Sequence, residues 1–345
     1  MANIFTISTA THLLQIEEAR HQLSCEADDN YLIVFGHYRD CYDQLHGKVD
    51  PSSWTEVYYF YSFLYFLFDD RGIPKRYTRI YKRCLYMFAY GRLLRRIKKW
   101  GAIKKLFTVN ILSNDIYLRR LMNEADFERM VLFDDGSSTI TLADKIDQQV
   151  SEGNNPVVIN EVRLPEAVTF FSSYRIKLHR PGDQLIINQF NLQQRKIKNL
   201  DNFGEKVYFL GAPLGRIYMK PDVYLTVLRR VSKYFKGHDV YYIPHRTENK
   251  AEIDEVEKIF KILTIDAPAE KILMDGQVER PAILASCFSS GLVNVSAIFS
   301  STERLKVKAF YLNSEDLLVH HDRIRKIYRS FEMLDHNRIE VVKDY

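Results

Sequence analysis

Cysteine is scarce and scattered. Four residues, Cys25, Cys41, Cys84 and Cys287, are spread over 345 positions with no Cys-x-x-Cys pair. That usage offers neither a disulfide framework nor a cysteine-built zinc site, and it fits a reducing compartment. Long apolar runs are missing as well. The longest, Val57 to Phe68, has 12 residues, against the roughly 20 of a membrane span. The opening Met1-Ala2-Asn3-Ile4-Phe5 has no basic stretch ahead of an apolar one, so no secretory signal is expected and the expected location is the cytosol. The dinucleotide fingerprint, the P-loop and Gly-x-Ser-x-Gly are all absent, which removes the simplest dehydrogenase, ATPase and hydrolase readings. There is no repeat of fixed period and no low-complexity tract. What is present is ordinary globular composition, 46% hydrophobic and 27% charged, at a length for two or more domains.

Charge is distributed unevenly. The chain carries 49 Lys or Arg and 44 Asp or Glu, a formal +5. Between Arg71 and Asn114 there are 13 bases and no acid, so the remainder sums to −8. In the densest part, Arg92 to Lys105, apolar residues 93, 94, 97, 100 and 103 share one helical face with bases around it. A solvated helix face, a surface for anionic lipid or glycan, and nucleic acid are the competing readings. No zinc-finger spacing or RNP segment accompanies the patch, so nucleic acid is set aside. Peripheral contact with an anionic membrane is the expectation. Just upstream, nine of the 15 residues from Trp54 to Phe68 are aromatic, which reads as a buried helix with tyrosine hydroxyls at its edge.

Periodicity gives an alternating α/β order. Strands are expected at Ile4–Ser8, Tyr31–Phe35, Leu106–Leu112, Met130–Phe133, Lys206–Leu210, Asp239–Ile243, Ala282–Ser286 and Leu305–Tyr311. Helices are expected at His12–Arg20 with Thr11 as cap, Trp54–Phe68, the basic segment to Lys105, Ile116–Phe127, Pro221–Phe235, Ala251–Leu263 and His321–Leu334. The polar stretch Asp183 to Phe203 is a plausible boundary. The expected fold is α/β, with two halves facing each other across a cleft and ligand-facing loops after the strands.

Three of those loops carry candidate chemistry. Asp134-Asp135-Gly136 follows a strand; one carboxylate can take a proton from a hydroxyl while Gly136 lets the backbone turn close to a substrate. A turn, a helix cap or a magnesium ligand set is the alternative. His245, after Pro244 and before Arg246, suits a phosphate: one side chain donates a proton, the other supplies charge. Ser289-Ser290-Gly291 offers hydroxyls and N–H groups to phosphate oxygens, or is a plain serine-rich turn.

In order and spacing these segments resemble bacterial sialyltransferases of the lipooligosaccharide and capsular polysialyltransferase type. Ser8-Thr9-Ala10-Thr11-His12-Leu13-Leu14 looks like that family's opening. Asp134-Asp135-Gly136 resembles its paired-acid-glycine motif, and Ser289-Ser290 its serine/threonine pair. Pro244-His245-Arg246 resembles its His-Pro motif, with Arg246 where proline is usual. Pro268-Ala269-Glu270 resembles the segment whose carboxylate holds the nucleotide ribose.

The resemblance implies a GT-B fold of two Rossmann-like domains facing a central cleft. Residues 1–195 would form the acceptor side and 205–320 the nucleotide-sugar donor domain, with 321–345 packing back on the first. It implies inverting transfer of sialic acid from CMP-sialic acid to a hydroxyl of a free or lipid-linked glycan, with no essential metal. Asp134, with Asp135 as second choice, would be the base. His245 would serve the leaving phosphate. Gly211, Arg246, Glu270, Ser289 and Ser290 would hold the donor. A GT-B enzyme using another nucleotide sugar, or a non-catalytic binder of acidic glycan or lipid, is the rival expectation.

Overall fold

Ala2–Ile7 (β1) is buried at every position. A strand without a solvent-exposed face belongs inside a parallel sheet covered on both sides, and that is its place. The computed structural model describes residues 2–35, 45–60, 75–109, 111–112, 115–197, 202–334 and 338–345, with backbone alone for 75–83. The chain divides into two units, one of Met1–Ser172 with Lys177–Asn188, the other of Ser173–Ile176 with Gln189–Tyr345.

In the first unit β1 is followed by α1 (Ala10–Gln22), β2 (Asp29–Val34), β3 (Glu56–Tyr59), α2 (Lys75–Trp100), β4 (Ile103–Thr108), α3 (Ile116–Glu124), β5 (Phe127–Phe133) and α4 (Ser138–Ser151). A small hairpin, β6 (Val158–Ile159) and β7 (Val162–Arg163), precedes β8 (Val168–Ser172) and β9 (Gln184–Ile187). The seven-stranded sheet runs β3-β2-β1-β4-β5-β8-β9, parallel throughout. Phe5 stacks on Phe107 of β4 at 4.1 Å between ring centres, and Trp54 meets Phe5 edge-on. Each such fully buried side chain contributes about 1.5–3 kcal/mol.

The second unit contains α5 (Asn191–Lys196), β10 (Val207–Leu210), α6 (Leu214–Ile217), α7 (Pro221–Tyr234), β11 (Val240–Ile243), α8 (Lys250–Glu257), β12 (Lys261–Ile262) and α9 (Ala269–Asp275). After them come β13 (Ile283–Ser286), α10 (Ser290–Ile298), β14 (Lys306–Phe310), α11 (His321–Glu332) and β15 (Ile339–Val342). Its parallel sheet runs β12-β11-β10-β13-β14-β15. Counted from β10 this is the order 3-2-1-4-5-6 of a doubly wound sheet. Helix α7 starts on Pro221 and buries Tyr224, Val227, Leu228 and Val231, the i, i+3, i+4, i+7 stripe. Helix α11 packs on β15 within this unit.

Several element expectations need correction. Trp54 to Tyr59 is not helical: Pro51–Ser53 forms a short 3-10 turn, and Glu56–Tyr59 pairs with β2 as an edge strand. Aromatic and β-branched residues suit a pleated surface, and that preference wins over the helical reading there. Tyr61 to Phe68 lies outside the described residues. The basic helix ends at Trp100, because Gly101 turns left-handed at φ +84°. Ile103-Lys104-Lys105 then belongs to β4, which stops at Thr108. Helix α3 ends at Glu124, since Phe127 begins β5. Helix α8 stops at Glu257 and releases Lys261–Ile262 as a strand. Thr9, not Thr11, occupies the N-cap of α1.

Candidate active site

In a doubly wound sheet, ligands bind beyond the carboxyl ends of the strands, where the strand order reverses. In the second unit that place lies between β10 and β13. Gly211 is the first residue after β10, and Cys287-Phe288-Ser289-Ser290 follows β13. Ser286 ties the two strands together at this end by donating its hydroxyl to the Leu210 carbonyl at 2.8 Å.

Ser289 is the N-cap of α10, its Oγ accepting the Gly291 N–H at 3.1 Å. Ser290 is the first helical residue. The opening turn of this helix therefore combines two half-buried hydroxyls with backbone N–H groups, an arrangement that suits an anion. Glu270, near the start of α9, is buried and accepts Asn294 Nδ2 of α10 at 2.8 Å.

His245 stands two residues past β11, the strand paired with β10. Its Nδ1 lies 2.8 Å from Thr247 Oγ1 and accepts the Thr247 N–H at 3.3 Å. In the neutral ring Nε2 then carries the hydrogen. Burial first, then the Arg246 and Arg216 charges, lower the imidazole pKa below its usual 6.5. Arg216 pairs with Glu252 at 2.8 Å and also donates to the Thr247 carbonyl. Glu252 in turn closes a capping box with Asn249. The loop is thus fixed before any ligand arrives.

Glu248 was not singled out by the sequence. Its Oε2 accepts the His245 N–H at 2.6 Å and its Oε1 accepts the Tyr242 hydroxyl at 2.7 Å; Tyr224 adds a third member 3.0 Å from Tyr242. A Cβ at Gly211 would lie 2.4 Å from Tyr242 Oη and 2.7 Å from Glu248 Oε2. A side chain at this position would have to displace buried Tyr242 or half-buried Glu248, whatever a nucleotide also asks of the glycine.

In the first unit Asp134 follows β5 directly, and Ser172 follows Phe171, its neighbour Phe133 being in register across β5 and β8. That register brings Ser172 Oγ to Asp134 Oδ1 at 2.6 Å in a buried setting. Asp135 is half-buried and its Oδ1 lies 3.2 Å from His12 Nε2. His12 Nδ1 accepts the Ser8 N–H at 3.2 Å, so in the neutral ring Nε2–H donates to Asp135. Gly136, at φ +59°, turns the chain, and Ser138 Oγ closes the turn on the Asp135 carbonyl at 2.6 Å. His12 sits in the N-terminal segment quoted above, and that was the signal that could have found it. Among the described residues no group of three or more His, Cys, Asp or Glu is placed to hold a metal ion.

No protein-family model matches the chain, and no curated protein matches it. Among solved structures, S. aureus MnaA in its UDP complex aligns over 98% of this chain and 90% of its own, at 10% identity and a TM-score of 0.53. TcCGT1 in complex with UDP aligns over 99% and 86%, at 10% identity and 0.51. The α/β-galactoside α-2,3-sialyltransferase of the luminous marine bacterium Photobacterium phosphoreum aligns over 99% and 98%, at 10% identity and 0.49. At such identities the likeness is one of fold: the chain is built as two Rossmann-like α/β units with parallel sheets, the GT-B fold.

Proposed function

We propose that the chain is an inverting glycosyltransferase that moves sialic acid from CMP-sialic acid to a hydroxyl of a surface glycan. One observation carries the reading. Two loops assigned to the donor from sequence, at Gly211 and at Ser289-Ser290, fall at the reversal of strand order in the second unit. That is the ligand end of a doubly wound sheet.

In this reading the first turn of α10 and the hydroxyls of Ser289 and Ser290 hold phosphate oxygens. Glu270 accepts ribose hydroxyls. His245, neutral, gives a phosphate oxygen a hydrogen bond from Nε2–H as charge grows on the departing nucleotide, and the proton stays on the ring. Arg246, exposed beside it, adds positive charge. Asp134, oriented by Ser172, takes the proton of the acceptor hydroxyl. Direct displacement then inverts the anomeric centre without a covalent intermediate. A free or lipid-linked acceptor glycan belongs to the same proposal.

Calorimetric titration with CMP, UDP and GDP tests it, alongside transfer from CMP-sialic acid to a glycan acceptor. CMP is expected to bind tightest, and Glu270→Gln to weaken CMP while leaving inorganic phosphate nearly unchanged. A preference for UDP would favour a second reading, a transferase with a uridine-nucleotide donor. Its support is that both solved structures named above with TM-scores over one half are UDP complexes. Binding of none of the three nucleotides would overturn both.

A further inference from the structure

Helix α2 carries ten Lys or Arg and no Asp or Glu over its 26 residues. One side of it is committed to the first unit. Ala89, Tyr90, Leu93 and Ile97 are buried. The Tyr90 hydroxyl donates to Glu124 at 3.0 Å, and Trp100 stacks on Tyr31 at 4.3 Å while donating to Glu56. Arg96 is paired with Glu56 as well.

The opposite side has a different composition. At about 100° per residue, positions 87, 88, 92, 95, 98 and 99 fall within an arc of about 140°. Met87 and Phe88 are 56% and 57% exposed, and Arg92, Arg95, Lys98 and Lys99 are exposed after them along the helix. A solvated face has no need of two large apolar side chains more than half in water. A face for a soluble polyanion accounts for the bases but leaves that apolar pair unexplained. Apolar side chains beside clustered bases on one face, with no acid on the helix, is what lets a helix lie in an anionic membrane interface.

We propose that this face of α2 docks on an anionic lipid bilayer, with Met87 and Phe88 entering the interface and Arg92, Arg95, Lys98 and Lys99 meeting the headgroups. The docking is independent of the donor-site reading, since none of these residues belongs to that site. It has two separable parts: headgroup attraction, screened by salt, and apolar insertion, which salt does not remove.

The test is sedimentation of the full chain with vesicles of phosphatidylcholine alone or mixed with phosphatidylglycerol, at low and high salt. Wild type is expected to pellet with the anionic vesicles and to release partly as salt rises. The quadruple variant R92Q/R95Q/K98Q/K99Q should lose on the order of 100-fold or more in partitioning, at about fivefold per near-surface base. M87S/F88S should lose on the order of tenfold and become fully releasable by salt. K258Q/K271Q, in the second unit, should match wild type. Circular dichroism melts check that each variant is folded. The proposal is overturned if wild type ignores anionic vesicles at low salt, or if M87S/F88S binds as wild type does. Tighter binding of wild type to a soluble anionic polysaccharide or to duplex DNA than to the vesicles overturns it too.

Discussion

The carboxylate of Glu248 accepts the backbone N–H of His245 at 2.6 Å. Its other oxygen takes the hydroxyl of Tyr242, which is buried behind it and in contact with Tyr224. The end of β11, the entry to α8 and the first turn of α7 are joined by this chain of polar groups, and the loop bearing His245 rests on it. Buried polar chains of this kind are costly when any member is lost. Burial lifts the pKa of Glu248 above its usual 4.5, so the carboxyl is a titrating member of the support.

That shift has a defined sign. The folded protein binds the Glu248 proton more tightly than the unfolded chain does. The stability it contributes is therefore fully present below about pH 4.5 and is lost as pH rises through the folded pKa. Wild type should lose stability relative to Glu248→Gln as pH rises from 4.5 through the raised pKa of the folded state. His245 runs the other way, its lowered pKa removing stability as pH falls through 6.5, but it is present in both proteins and cancels to first order. Urea unfolding of the two at several pH values measures the difference. A gap that stays constant or widens in favour of wild type as pH rises contradicts the linkage.

Gly211→Ala places a methyl group 2.4 Å from Tyr242 Oη and 2.7 Å from Glu248 Oε2. Overpacking a rigid site costs about 1–3 kcal/mol, and His245 should shift with its support. Gly91→Ala is the contrast: it lies within α2 with open space around it. There the change should be neutral or stabilise by roughly 0.5–1 kcal/mol. Equal unfolding midpoints for wild type and Gly211→Ala would show that the tyrosine and glutamate yield more easily than their burial indicates.

Ser289 and Ser290 should separate by measurement. Ser289 caps α10 through its oxygen, so Ser289→Ala should cost about 1 kcal/mol of stability as well as phosphate affinity. Ser290 follows the cap, and Ser290→Ala should weaken phosphate and nucleotide binding with little effect on unfolding. If both variants melt lower and bind the nucleotide normally, the pair is a helix start and nothing more.

The alternating order of elements was legible because β10 and the end of β5 are short apolar runs with polar turns behind them. The strand register that sets Ser172 beside Asp134 was not, since it depends on pairing between segments 38 residues apart. The role of Glu248 is hidden in the sequence for a related reason. Glu248 sits in a polar run, Arg246 to Lys250, that reads locally as a solvated turn; only the Tyr242 hydroxyl behind it shows what its carboxylate does. The strand at Glu56–Tyr59 was hidden by the aromatic run that continues past it. Aromatic residues crowd helices and edge strands alike, and the partner strand decided between them.

The first unit presents two adjacent acids in unlike settings, and the difference predicts their variants. Asp134 is buried with Ser172 donating to it; Asp135 is more exposed and joined to His12. Asp134→Asn should lower turnover about 10²–10⁴-fold with nucleotide affinity near wild type, because the donor is assigned to the other unit. Asp135→Asn and His12→Gln should each cost less. Since the two residues share one hydrogen bond, the double variant should be no worse than the more damaging single one. Single-turnover rates with saturating donor give the comparison. If Asp135→Asn carries the large loss and Asp134→Asn mainly lowers the unfolding midpoint, the base is Asp135. His12 would then be the residue that orients it, and Asp134 would be a structural partner of Ser172.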